Sequence, residues 1–260
     1  MQLLFRAFQM HRVQREVSIV VGRIRYVREK GREEVTVDDI GPLTVMTVTL
    51  WEPEGLGERR LKKRLYKLEK TLCRQGIGRV VLPEGFPYTQ RLELLRPVNV
   101  LPFYRGIADT LALVWLEQRG IAPRQGRVVL AASRLCPELC CTAERLCPQV
   151  RQLVIRVPEG GEDYARLLHD RYGLPVTPGF VCGNVALAFG PVEGNREPVL
   201  DLYGAGPEVS LSVKGLDLPE DCAVPLLALL WERGYLSRER LNITFSGQTL
   251  ANGGSMCYNN

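Results

Sequence analysis

The segment Leu130-Ala131-Ala132-Ser133-Arg134-Leu135-Cys136-Pro137 leaves an apolar run, enters a helical pattern, and places a hydroxyl beside a fixed cation. At the end of a strand, Ser133 and Arg134 would meet an anionic group of a ligand. The competing reading is that Ser133 caps the following helix and Arg134 is solvated. Three later segments are expected to emerge on the same sheet edge: Pro158-Glu159-Gly160-Gly161, Pro178-Gly179-Phe180 and Gly190-Pro191. Gly160-Gly161 ahead of a helix is the nearest feature to a backbone anion cradle, although such pairs also serve as plain turns. Glu159 and Gly190 complete the ligand-binding candidates.

The same turn contains no glycine, so neither G-x-G-x-x-G nor G-x-x-x-x-G-K-[ST] occurs where a dinucleotide or phosphate loop would need it. A Cβ on Ala132 or Ser133 would crowd a pyrophosphate. NAD(H) binding of the usual kind is therefore expected to be weak or absent, and no cofactor is expected. Catalytic sets are limited by count. The only histidines are His11 and His169, and neither G-x-S-x-G nor H-E-x-x-H is present. Asp38-Asp39 and Glu220-Asp221 read as turn or helix-start residues.

Cys136, Cys140 and Cys147 share one face of a helix at about 100° per residue. Three thiols so placed could ligate a metal or a cluster. Leu139, Ala143 and Leu146 lie on that face too, and loop-borne C-x-x-C knuckles are missing. The face therefore reads as an apolar stripe in which cysteine is a small hydrophobe, and no metal site is expected.

A polyanion is the other chemistry on offer. The helical stretch from Glu58 to Gly76 carries Arg59, Lys63, Lys67 and Lys70 among its eight basic residues, a face that could lie along phosphates. Tyr66 is the only stacking residue on it, so a solvated helix is the simpler reading. Residues 1–80 hold 17 Lys+Arg against 10 Asp+Glu, whereas 81–260 hold 17 against 19, so the net charge of +5 comes from the first part.

The elements that must position these residues follow from periodicity. Val17 to Val21, Val35 to Val37 and Leu43 to Leu50 read as strands. Leu61, Leu65, Leu68 and Leu72 form a helical stripe ending at Gly76, and a strand follows at Arg79 to Pro83. These make an α+β unit over 1–100. From 101 the pattern becomes helix 106–119, strand 127–131, helix 137–147, strand 153–157, helix 162–172, and strands 174–177 and 185–189. Strand–helix–strand at these lengths implies right-handed crossovers and a parallel sheet. Val199–Tyr203 and Val209–Val213 read as a hairpin on its edge, followed by a helix near 220–233 and a strand at 241–245. The fold class is α/β: a small α+β unit, then a Rossmann-like, mostly parallel sheet over 101–245 with helices on both faces. Residues 246–260 read as a disordered tail.

MQLLFRAFQMHR lacks the apolar core of a secretory signal. No apolar run is long enough for a spanning helix. With eight cysteines in no even framework, the expectation is a cytoplasmic protein with reduced thiols and no membrane partner. These observations favour a binding or regulatory protein with a degenerate Rossmann-like domain and no recognised catalytic site, which leans away from an enzyme. Its partner would be a small molecule or another protein. Two alternatives stand beside it: an enzyme acting on a small molecule or nucleotide at the C-terminal edge of the parallel sheet, and an RNA-associated protein using the basic helix.

Overall fold

A computed structural model describes residues 19–32, 34–179, 181–191 and 197–245. The expected tail at 246–260 lies outside the described residues. The described residues divide into two compact units: those up to 98 together with 215–226, and those of 99–214 together with 227–245. Residues 215–226 thus group with the first unit rather than continuing the second.

The first unit contains β1 (Ile19–Val27), β2 (Val35–Ile40), β3 (Leu43–Trp51), α1 (Glu58–Arg74), β4 (Arg79–Val81) and β5 (Arg96–Pro97). They form one sheet in the order β2-β3-β1-β4-β5. Only β2 runs antiparallel to its neighbour; the β1–β3, β1–β4 and β4–β5 pairings are parallel. This unit is therefore a mixed sheet covered by a helix. Strand β1 runs six residues past its expected end at Val21, because Arg23 and Arg25 on one face hide the apolar alternation of the other. Leu61, Leu65, Leu68 and Leu72 of α1 pack on Ile24, Val48, Leu50 and Val80. The helix closes with the Ile77 amide on the Leu72 carbonyl at 3.2 Å, which turns Ile77 back into the same core.

Glu69 interrupts that leucine stripe and is nevertheless only 1 % exposed. Its Oε1 accepts the amides of Glu93, Leu94 and Leu95 at 2.9, 2.8 and 3.1 Å. One carboxylate thereby satisfies three consecutive backbone donors and fastens the segment before β5 to the helix.

The second unit begins with α2 (Leu101–Gly106) and α3 (Ala108–Gln118), where one helix over 106–119 was expected. The break at Ile107 has a visible cause. Arg238 donates to the Gly106 carbonyl at 2.6 and 3.1 Å, and the Trp231 indole lies where a Cβ on Gly106 would stand, 2.9 to 3.0 Å away. Then come β6 (Arg127–Ala131), α4 (Pro137–Leu146), β7 (Gln152–Arg156), α5 (Gly161–Tyr172), β8 (Val176–Pro178), β9 (Val185–Ala188) and β10 (Val199–Asp201). The sheet order is β10-β9-β6-β7-β8, and every pairing within it is parallel. The α/β class and the Rossmann-like parallel sheet are observed.

Two details differ from expectation. No edge hairpin forms: β10 lies parallel to β9, while β11 (Val209–Val213) pairs antiparallel with β12 (Leu241–Phe245) in a separate two-stranded sheet. Alternation identifies a strand but not its partner. Here the Asp201 carboxylate accepts the amides of Tyr203 and Gly204 at 2.8 Å each and turns the chain off the sheet. Helices on both faces were also expected, yet α3, α4 and α5 pack on a single face. A Cβ on Gly161 of α5 would lie 3.5 Å from Ile155, and α3 contacts both α4 and β9. The opposite face, formed by Val129, Ala131, Val154 and Ala186, is covered by Val181 and Val199. Gly183 lies so near it that a Cβ would stand 2.6 Å from Val129. Among the described residues, Val181 and Gly183 of the β8–β9 connection lie against that face. Helix α6 (Ala223–Glu232) holds the apolar stretch around Pro225.

Candidate functional site

In the order β8-β7-β6-β9-β10 the chain moves outward from β6 to β8 and then returns to the other side of β6. The strands' connections therefore part between β6 and β9, the place where open α/β sheets hold ligands at their C-terminal ends. Both strand ends are held firmly. The Phe189 amide donates to the Ala131 carbonyl at 2.8 Å, and that of Ala132 to the Arg156 carbonyl at 3.2 Å. Gly190 is buried facing Ser133: a Cβ there would stand 3.5 Å from both the amide nitrogen and the hydroxyl of Ser133. The missing side chain leaves that N–H and O–H pair uncovered.

Helix α4 starts at Pro137 with Cys136 as its N-cap and has no side-chain cap bond. Ser133 is therefore not the cap, which removes the structural explanation for its hydroxyl. Ser133 and Arg134 are exposed. Arg134 meets Glu159 through a backbone bridge, and its guanidinium has no ion pair among the described residues. Gly160, at φ +75°, is the N-cap of α5, a conformation that L side chains seldom adopt. Gly161 is buried, and a Cβ on it would stand 3.0 Å from that of Val157, so its absence lets the helix sit close to β7. The glycine pair thus has a turn and a packing role, while the exposed Glu159 carboxylate stands at the same edge.

Arg105 of α2 was missed in the sequence. Its Nε donates to the Leu202 carbonyl at 2.8 Å and its Nη2 to the Phe189 carbonyl at 3.4 Å, which ties together the ends of β9 and β10 beside Gly190. No motif could have flagged it, because its partners lie 84 and 97 residues away. The arrangement offers an anion two donors from Ser133 and a cation from Arg134, and offers a hydroxylated ligand the Glu159 acceptor.

The polyanion candidates Arg59, Lys63, Lys67 and Lys70 are exposed and lie on one side of α1. Arg59 and Lys63 line a groove with Tyr66 and Arg91, whereas Lys67 borders a separate cavity of about 180 Å³ with Trp51 and Arg64. The Lys70 ammonium lies over the Tyr66 ring at 5.9 Å. In the cysteine helix, Leu139, Ala143 and Leu146 are fully buried, but Cys136 and Cys140 are only half-buried. Cys147 is in the core, and burial pushes its thiol up to about 11.

A second polar cluster in the first unit has no sequence signature. Glu52, just after β3, accepts the Tyr26 hydroxyl at 2.5 Å and the Tyr88 hydroxyl at 2.7 and 2.8 Å. Arg28 donates to the Tyr26 oxygen at 3.2 Å. Tyr26, Phe86 and Tyr88 pack edge to face around it. Burial pushes Glu52 up, but the two phenol donors and Arg28 outweigh it, and its carboxyl titrates below the ordinary range. A lowered folded value means stability that is present above the ordinary carboxylate range and lost as the pH falls through it. The stability difference between the native chain and Glu52→Gln should therefore be largest near about pH 7 and close by about pH 3, as read by urea denaturation across that range.

No family model matches this chain, and no curated protein matches it. Solved structures do. L-tryptophan dehydrogenase from Nostoc punctiforme aligns at 9 % identity over 66 % of this chain and 57 % of its own, with a TM-score of 0.29. A shikimate 5-dehydrogenase-like protein aligns at 10 % identity over 66 % of each chain, with a TM-score of 0.23. Quinate dehydrogenase from Corynebacterium glutamicum aligns at 14 % identity over 66 % of this chain and 70 % of its own, with a TM-score of 0.24. The chain spans less than two thirds of the first two. Likeness at this level transfers no substrate, cofactor or reaction.

The leading expectation of a binding or regulatory protein without a catalytic site is corrected on its own premise. The proteins to which this chain is similar are named as dehydrogenases or dehydrogenase-like, which is said of them alone. The expectation rested on the missing glycine fingerprint, which excludes one way of holding a pyrophosphate and says nothing about catalysis. Among the described residues, no helix is long and apolar enough to cross a membrane.

Proposed function

We propose that this chain is an enzyme acting on a small molecule or nucleotide bound at the C-terminal edge of the parallel sheet, between β6 and β9. The observation that supports this reading is the uncovered Ser133 N–H and O–H pair opposite Gly190, with the unpaired Arg134 guanidinium alongside. An anionic group of the substrate would sit on Ser133 and Arg134, where fixed donors hold it without reorganisation. Glu159 would take a hydroxyl of the same molecule. The reading includes a cytoplasmic setting, in which the thiols stay reduced.

Thermal melting with NAD, NADP, FAD, ATP and S-adenosylmethionine tests it. A ligand at a hundredfold excess over its dissociation constant adds about 2.7 kcal/mol, a clear rise in Tm. Gly190→Ala places a Cβ in ordinary contact with Ser133, so the variant should fold normally and lose the response. Failure of the whole panel, or a response that Gly190→Ala leaves intact, would refute the assignment.

A further inference from the structure

One carboxylate oxygen of Glu69 is engaged and the other is not. Oε1 accepts the amides of residues 93–95 and so draws the chain after the short 3-10 turn Thr89–Arg91 alongside α1. Oε2 makes no hydrogen bond among the described residues, although Glu69 is only 1 % exposed. Helix and segment leave two adjoining hollows between them, of about 490 and 330 Å³, which share Arg59, Lys62, Leu65, Arg91 and Glu93 as walls. Glu69 lines the second of them with Lys63 and Tyr66. Their size suits a small molecule.

The charges around this groove fall into paired and unpaired groups. Lys62 meets Glu93 at 3.5 Å and Arg91 meets Glu58 at 3.1 Å, so both rim carboxylates are already neutralised. Arg59 and Lys63 are exposed and have neither an ion pair nor a hydrogen bond among the described residues. They stand at i and i+4, one turn apart on the same side of α1. The exposed Tyr66 ring follows at the next turn, with the Lys70 ammonium over it at 5.9 Å. Leu65 supplies an apolar floor. Glu69 lies about 9 Å further along the helix axis than Lys63. The groove thus has two free cations at one end, an aromatic ring in the middle, and a buried, half-satisfied carboxylate at the other end.

We infer that the groove between α1 and residues 89–93 binds a small phosphate ester that carries hydroxyl groups, such as a sugar phosphate. The phosphate lies on Arg59 and Lys63, where a guanidinium grips two oxygens at once. A hydroxyl at the other end of the molecule donates to Glu69 Oε2 and satisfies an acceptor that is otherwise buried without a partner. The carbon frame between them covers Leu65 and Tyr66. The site belongs to the first unit alone and does not depend on the function proposed above.

Isothermal titration of the full chain at low ionic strength with glucose 6-phosphate, inorganic phosphate and glucose tests it. Glucose 6-phosphate should bind saturably, about tenfold more tightly than inorganic phosphate, and glucose should give no measurable heat. Arg59→Gln and Lys63→Gln should each weaken glucose 6-phosphate about tenfold, while Arg119→Gln in the second unit leaves it unchanged. In Glu69→Gln the amide oxygen must stay on the three backbone donors, which turns the NH2 group to the groove. The charged acceptor is then lost, and most of the preference for glucose 6-phosphate over inorganic phosphate should go with it. The free Arg59 and Lys63 variants should melt with the native chain, and Glu69→Gln is titrated well below its own Tm. Four results would overturn the inference: no saturable heat with glucose 6-phosphate, equal affinity for the two phosphates, binding that Arg59→Gln and Lys63→Gln both retain or that Gly190→Ala abolishes, or binding of a single-stranded RNA without either phosphate.

Discussion

Replacing Arg156 by leucine should lower the folding stability by about 3–5 kcal/mol, the usual cost of leaving a buried charge without its partner. Arg156 ends β7 on the face that lacks helices, and its Nη1 lies 2.6 Å from Glu197 Oε1. The two side chains are 4 % and 1 % exposed. Among the described residues, neither oxygen of Glu197 makes an aligned hydrogen bond, and Arg156 is the cation that compensates this carboxylate. In Arg156→Leu the carboxylate must either take up a proton or draw in water. The double variant Arg156→Leu/Glu197→Leu should recover most of the loss, because desolvating two ions absorbs much of what their attraction provides. Chemical denaturation of the two singles and the double decides the matter. Additive losses would show that the residues act separately.

Glu69→Ala is the second large effect. The substitution strands three amides, the last of them buried, and should cost about 2–4 kcal/mol. Glu69→Gln keeps an acceptor oxygen and should recover part of it. Amide exchange at residues 93–95 is the specific readout. It should speed up in Glu69→Ala far more than exchange on the far side of the sheet, since the carboxylate holds that segment directly. Equal acceleration everywhere would mean only a general loss of stability.

Both effects depend on residues whose role was invisible in the chain. Glu69 sits in a helix crowded with charge, and its partners are backbone amides, which carry no sequence mark. Arg156 looks like the polar end of a strand. What was legible was whatever a local period records: the leucine stripe of α1, the alternation from β6 to α5, and hence the parallel sheet. Partner choice was not legible. Residues 199–203 and 209–213 were recognisable as strands, yet each pairs with a different neighbour from the one that proximity suggests. Periodicity also misled where two faces differ in polarity, as at Arg23 and Arg25, which concealed the second half of β1. At the candidate site, Ser133, Arg134, Glu159 and Gly190 could be chosen because strand ends in such sheets point one way. Arg105 could not, because only the folded chain brings it to that edge.

The connection between β8 and β9 has a consequence for length. Its two ends lie three strand spacings, about 14 Å, and two residues along the sheet, about 7 Å, apart, a straight distance of about 16 Å. The chain from Pro178 to Val185 could span about 24 Å fully drawn out but only about 10 Å as helix. So few residues cannot hold the crossover helix that a longer connection would lay on this face.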